Sequence, residues 1–183
     1  MWPDDAGPVL TGLARAAIAG RLGLSAPPHR TPDWLSQPGA SFATLTIDHA
    51  LRGCIGSLTP WRPLGQDVAA NAQGAAFDDP RFVPLSRDEF AGIAIEVSVL
   101  SATEPIEFRS RADLLAQLRP GVDGLVLTAG GRRGTFLPQV WAELPEPARF
   151  LDHLLRKAGL PPTYWGPDVA VERYSVTAFP ETP

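Results

Sequence analysis

Ser41-Phe42-Ala43-Thr44-Leu45-Thr46-Ile47, and after a short turn Leu51-Arg52-Gly53-Cys54-Ile55-Gly56, is the stretch on which the fold is decided. Both runs alternate apolar and polar side chains, the period of a strand with one buried face. Only Asp48-His49-Ala50 separates them, so Ser41–Ile47 and residues 51–58 read as an antiparallel hairpin. Side chains alternate across a strand, which places Arg52 and Cys54 on one face and Leu51, Gly53 and Ile55 on the other. A guanidinium beside a thiol favours the nucleophilic thiolate, making Cys54 and Arg52 the candidate catalytic pair. Gly53 and Gly56 leave the backbone beside the sulfur open to a ligand or another chain segment, and are candidate binding residues. The competing reading is plain packing, since a single strand cysteine often serves as a small hydrophobe. His49 could act as a base toward Cys54, as a Cys–His pair requires. Five residues of strand span roughly 17 Å, so that role would need the turn to fold back.

Working outward, residues 9–24 repeat apolar positions at helical spacing (Leu10, Leu13, Ala14, Ala17, Ile18, Leu22), with Pro8 near the start. Residues 26–39 are rich in Pro, Ser and Thr and read as an irregular connection. Residues 63–76 read as a helix broken by Asp78-Asp79-Pro80. Ser86 and Glu89 have capping-box spacing for a short helical turn, and residues 93–100 form a strand. The second half repeats this grammar. A short strand over 106–108 and a helix over 111–118 precede a hairpin of residues 125–128 and 134–137 around Gly130-Gly131. Helices over 139–144 and 148–158 follow, then an alternating strand over 169–179. Hairpin, helical segment, strand thus occurs at 41–100 and again at 123–179, a pseudo-duplication of architecture with little residue identity. The class is α+β with antiparallel sheets.

The 183 residues suit one domain or two small lobes, and 44% hydrophobic residues supply a core. A net charge of −4 argues against nucleic acid as a partner, since phosphate binding needs a basic surface. One cysteine excludes an intrachain disulfide and fits a reducing cytoplasm. The start, Met1-Trp2-Pro3-Asp4-Asp5, lacks a basic region, so no signal peptide is expected. No apolar run approaches the roughly 20 residues of a membrane span. His29, His49 and His153 match no zinc spacing, and no serine triad, catalytic carboxylate pair or phosphate loop is visible.

Three further sets carry chemistry. Asp79 could orient Arg52 or a substrate, and Arg81 could hold an anionic group; equally, Asp79 is a turn former before Pro80 with Arg81 as its ion partner. Glu96 and Ser98 share a strand face opposite Ile95 and Val97, which reads as solvated. Lys157, the only lysine, complements a helix C-terminus; if buried it could serve as a base.

Leu51–Gly56, then Asp79-Pro80-Arg81-Phe82 with Pro84-Leu85, Ile95-Glu96-Val97-Ser98-Val99-Leu100, Leu137-Pro138-Gln139-Val140 and Lys157-Ala158-Gly159-Leu160 together resemble the AmmeMemoRadiSam system protein A family, the AMMECR-type domain. The resemblance spans about Phe42 to Trp165. It departs from the family in the Asp48-His49-Ala50 turn, where a longer, glycine-containing turn is expected. It implies a single domain over 1–183 made of two unequal lobes. The larger comprises about 1–103 plus 165–183 and the smaller about 104–164, with the cysteine motif facing a cleft between them. It also implies association with a radical-SAM enzyme and a dioxygenase-like protein but carries no settled activity, and the sequence itself points to no particular cofactor. The chain lacks the cysteine set for its own iron–sulfur cluster, so radical chemistry would be supplied in trans. Asp79, Arg81 and Lys157 join Gly53 and Gly56 as candidate binding residues. Two readings follow: an enzyme or enzyme subunit acting through Cys54, or a noncatalytic protein- or peptide-binding module in which Cys54 is packing.

Overall fold

Ten residues of alternating burial, β1 (Pro38–Ile47), carry the first sheet. In the computed structural model, which describes residues 2–26 and 28–182, β1 turns directly into β2 (Ala50–Gly56) with Ile47 opposite Ala50. Asp48 and His49 fill the two-residue turn at φ 49° and 65°. A turn with both central residues left-handed matches the twist of its strands, and Asp tolerates that conformation. No glycine is needed, which accounts for the short turn.

Odd-numbered residues of β1 point to the helices. Ala43 and Leu45 are fully buried there, beside Ile95 and Val97 of β4 (Ala94–Leu100). The helices are α1 (Ala6–Arg21) and α2 (Leu64–Phe77), whose Leu10, Ile18, Val68 and Ala72 complete this core. Pro38 and Gly39 also pair with β3 (Arg62–Pro63). The irregular connection expected over 26–39 contains one 3-10 turn, Asp33–Ser36, while Pro27 lies outside the described residues. Ser86 and Glu89 form the expected reciprocal cap: the Ser86 N–H and hydroxyl both donate to the Glu89 carboxylate at 2.9 Å.

The second sheet has the order β5-β8-β6-β7. It comprises β5 (Glu104–Pro105), β6 (Gly124–Ala129), β7 (Arg132–Phe136) and β8 (Ala170–Tyr174). Leu125, Leu127 and Val171 pack with Phe150, Leu151 and Leu154 of α4 (Pro147–Lys157), and Trp141 stacks on Phe150 at 3.8 Å. Ser110 caps α3 (Arg111–Gln117) by accepting the Asp113 N–H. Residues 138–142 form a 3-10 helix rather than an α-helix. The short strand expected over 106–108 is displaced to β5, and only Ile106 continues the ladder, donating its N–H to the Val171 carbonyl.

The strand expected over 169–179 is two strands. Past β8 the ladder breaks at Ser175, and β9 (Val176–Pro180) lies beside β4 in the first sheet, whose order is β2-β1-β4-β9. The alternation was legible across the whole run, but one alternating run can serve two sheets if a single residue between them leaves the ladder. The chain accordingly packs as two units, one of residues 1–100 with 177–183 and the other of residues 101–176. Residues 165–176, which the resemblance gave to the larger lobe, thus pack in the second unit.

The repeated grammar is realised in pairing as well as order. Within each unit a hairpin's first strand is central: β1 pairs antiparallel with β2 and β4, and β6 with β7 and β8. Gly53, opposite Leu45, and Gly134, opposite Leu127, face the helix that follows their hairpin. A Cβ on Gly53 would lie 2.0 Å from the Ala75 carbonyl oxygen of α2, and one on Gly134 would lie 3.1 Å from the Leu154 carbonyl oxygen of α4. The glycine in each case lets helix backbone approach strand backbone.

Candidate functional site

Cys54 lies opposite Thr44, on the sheet face turned away from α1 and α2. Such cross-strand pairs bring side chains close, and the Thr44 hydroxyl lies 3.4 Å from the Cys54 sulfur. The thiol is half-buried and does not belong to the core cluster of this unit.

The arginine beside it is not the expected one. Leu45 pairs with Gly53 but Thr46 pairs with Leu51, so Arg52 is an extra residue in β2, a β-bulge. The bulge breaks the simple alternation that put Arg52 and Cys54 on one face. Arg52 instead grips Glu89 through Nε at 2.8 Å and Nη2 at 3.2 Å, with the Phe82 ring 5.9 Å from its guanidinium. Its Nη1 is buried without a hydrogen-bond partner among the described residues. The Arg52 hydrogen bond, followed by the Ser86 N–H, lowers the Glu89 carboxyl to about 2.

Asp79 and Arg81 do reach the cysteine, through its peptide. β2 is an edge strand, and Cys54 turns its N–H and C=O outward. Asp79, with 2% of its side chain exposed, accepts the Cys54 N–H at 2.9 Å. It also accepts from Arg81 Nη2 at 2.7 Å and Nε at 3.0 Å, and Arg81 Nη2 lies 3.4 Å from the Cys54 carbonyl oxygen. The Arg81 guanidinium holds the Asp79 carboxyl far below the usual carboxylate range, assisted by the Cys54 and Arg81 N–H groups, against burial. This pair stands where a neighbouring strand would, so the edge is closed at the cysteine. The expected ion pair of Asp79 with Arg81 is present and reaches the hairpin at the Cys54 peptide, while Arg52, which Asp79 was a candidate to orient, is held by Glu89.

Gly53 and Gly56 have their space filled by the chain itself. Gly53 meets the α2 backbone, and a Cβ on Gly56 would lie 2.2 Å from the Phe42 ring. Lys157 is exposed in the last turn of α4, with its ammonium 4.9 Å from the centre of the Phe136 ring; burial as a base is not found. His49 is an exposed turn residue. No group of His, Cys, Asp and Glu among the described residues is arranged to hold a metal, and no helix there is long and apolar enough to cross a membrane.

Thr44 escaped sequence reasoning in this role and became visible only through the register of β1 and β2. Alternation named the faces of the unbroken strands; it could neither align them nor foresee the bulge in β2.

The chain is similar over most of its length to other proteins. A protein from Methanothermobacter thermautotrophicus is 41% identical over 182 residues, covering 97% of this chain and 95% of that one. Protein MJ0810 of Methanocaldococcus jannaschii is 37% identical over 154 residues, covering 82% and 77%. The crystal structure of PH0010 from Pyrococcus horikoshii superposes with a TM-score of 0.80 at 36% identity, covering 98% of this chain and 93% of that one. The profile of the AMMECR1 family matches residues 11–179, a span running from α1 through both sheets to β9. The chain with the Cys54 edge strand and the two hairpin–helix–strand units belongs to the AMMECR1 family.

Proposed function

We propose that this protein is an AmmeMemoRadiSam system protein A that works through the Cys54 thiol, as an enzyme or enzyme subunit in a modification pathway with a radical-SAM partner. One observation carries the reading: Cys54 stands on the face of its sheet opposite the helix-covered core, while its peptide is fixed at both N–H and C=O by Asp79 and Arg81. A cysteine kept for packing belongs on the Gly53 side, where the core lies. A rigid peptide beneath a half-exposed sulfur is what positioning of a nucleophile requires. The thiol supplies the electron pair for a bond to an electrophilic atom, and Thr44 is placed to donate a hydrogen bond to the sulfur once its proton has left. The chemistry needs a reduced thiol, hence a reducing compartment such as the cytoplasm.

The test is alkylation of native and urea-unfolded protein with iodoacetamide at neutral pH, followed by mass spectrometry. Labelling of native Cys54 at least as fast as in the unfolded chain supports the reading. Labelling only after unfolding overturns it and leaves the packing role.

The noncatalytic docking alternative draws on a separate observation. Leu51, Leu58, Trp61 and Val83 are exposed large apolar side chains of β2 and the segments that follow it. A pull-down of the radical-SAM partner separates the readings. Loss of capture in Trp61→Glu with full capture in Cys54→Ser is the docking result.

A further inference from the structure

β5 pairs with β8 only at Glu104 with Arg173 and Pro105 with Glu172, and Ile106 adds one bond, from its N–H to the Val171 carbonyl. There the two segments part. A cleft of about 510 Å³ opens in the fork, with Ile106, Phe108, Trp165, Val169 and Val171 among its walls. All of it lies within the second unit. The fork is built rather than frayed. The Glu107 carbonyl accepts from Gln117 Nε2 at 3.0 Å, and the Arg109 N–H donates to the Asp113 carboxylate at 2.9 Å. Gln117 and Asp113 belong to α3, so that helix holds residues 107–109 and supplies hydrogen bonds in place of a ladder. This accounts for the loss of the strand expected over 106–108.

Both walls are left with bare main-chain groups. A residue in an antiparallel strand turns its N–H and C=O to the same edge. Val171 accepts from Ile106 on the outer edge of β8, so its N–H points the same way, and no residue among those described takes it. Edges alternate along the strand, so Ala170, opposite Thr128, turns its N–H to β6. A trans peptide sets C=O against N–H, and the Val169 carbonyl therefore points outward, beside the Val171 N–H. On the other wall the same rule turns the Phe108 N–H and C=O away from α3, because the Glu107 carbonyl and Arg109 N–H point toward it. Main-chain polar groups are rarely left unpaired in a folded interior, and an open strand edge is a template for another chain. The cleft also offers an apolar seat: the Phe108 and Trp165 rings stand 5.5 Å apart, and Arg111, ion-paired with Asp152, lies 5.8 Å from the Trp165 ring.

We infer that this fork is a docking site for an extended peptide segment of a partner protein, which pairs with β8 where β5 leaves off. The segment donates an N–H to the Val169 carbonyl, accepts from the Val171 N–H, and lays an apolar side chain against Phe108 and Trp165. A polypeptide is the ligand that fits, because only main chain presents a donor and an acceptor at the spacing of a strand edge. The site stands apart from Cys54 and does not depend on the thiol reading.

A phage library of random linear peptides, selected on the immobilised full chain, supplies the probe. An enriched peptide, made synthetically, should slow hydrogen exchange at the Val171 amide and leave the Arg173 amide, already paired with Glu104, unchanged. N-methylation of single amides in that peptide, which keeps every side chain, should weaken binding by roughly tenfold at one position or more. Ala170 is exposed and lines the cleft, so Ala170→Arg, with circular dichroism confirming its fold, should also weaken binding by roughly tenfold. Trp61→Glu, in the first unit, should leave binding unchanged. The inference is overturned if no peptide is enriched, if binding leaves the Val171 amide unaltered, if no amide of the peptide matters, or if Ala170→Arg binds as wild type does. Protection of the Val171 amide that rises with the concentration of the protein alone would assign the fork to a second copy, and overturns the partner reading as well.

Discussion

At the residue scale, the corner around Cys54 is held by two acidic groups with different tasks. Asp79 satisfies two backbone N–H groups and one guanidinium from a buried position, so Asp79→Asn should cost about 2 kcal/mol in urea denaturation by removing a charge-assisted set of bonds. Glu89 closes the bulge through Arg52. Its folded value of about 2 lies below the ordinary 4.5. The stability it contributes is therefore present above about 4.5 and is lost as pH falls from there toward about 2. With a third of this side chain exposed, screening limits the contribution to about 1 kcal/mol. Glu89→Gln should lower stability at pH 7 and shrink the difference between pH 7 and pH 3, read by denaturation at each pH. Residue identities at this site were legible in the sequence; their pairings were not. The order of residues sets Arg52 two places from Cys54, but one bulged residue sends it to Glu89, and Arg81, 27 positions away, takes the place at the cysteine peptide.

At the element scale, glycine marks where helix and strand touch. Gly53→Ala would drive a methyl against the α2 backbone and should cost about 3 kcal/mol or more. Gly134→Ala, with contacts at 3.1 Å, should cost about 1 kcal/mol. Gly20→Ala, near the end of α1 with nothing within 4 Å, should instead stabilise by about 0.5 kcal/mol. Thermal melting of the three variants checks the order. Strands and helices were legible because their periods are local: α2, β4, α3 and both hairpins appear within three residues of their expected bounds. The glycines were legible as close approaches but not as to what approaches, since the carbonyl that meets Gly53 belongs to Ala75, a helix turn well beyond the hairpin.

For the whole molecule, the two units share the hairpin–helix–strand order, but their outer strands differ in chain order (β9 comes last, β5 first), and only the first carries a thiol. Thr135 stands in the second sheet where Cys54 stands in the first, with its hydroxyl 3.1 Å from that of Tyr174. The repeated order of hairpin, helix and strand was readable from the sequence; the division of the last strand was not, because nothing in its alternation distinguishes one sheet from two. Ending the chain at Ser175 removes β9 and Glu181, and with them the bonds from Glu181 to Arg15 and to the Ile95 N–H. Hydrogen exchange should show lost protection in β4 and α1 while β6 and β7 keep theirs, because their ladder partners remain.

The split at Ser175 also orders events on the ribosome. Every strand of the second sheet has been made once residue 174 is out, whereas the first sheet still waits for residues 176–180. The outer edge of β4 is therefore bare while the whole second unit is being synthesised, and the half begun first is the half finished last. Domains are generally completed N-terminal first; here the nascent chain carries an open strand edge through all of that interval.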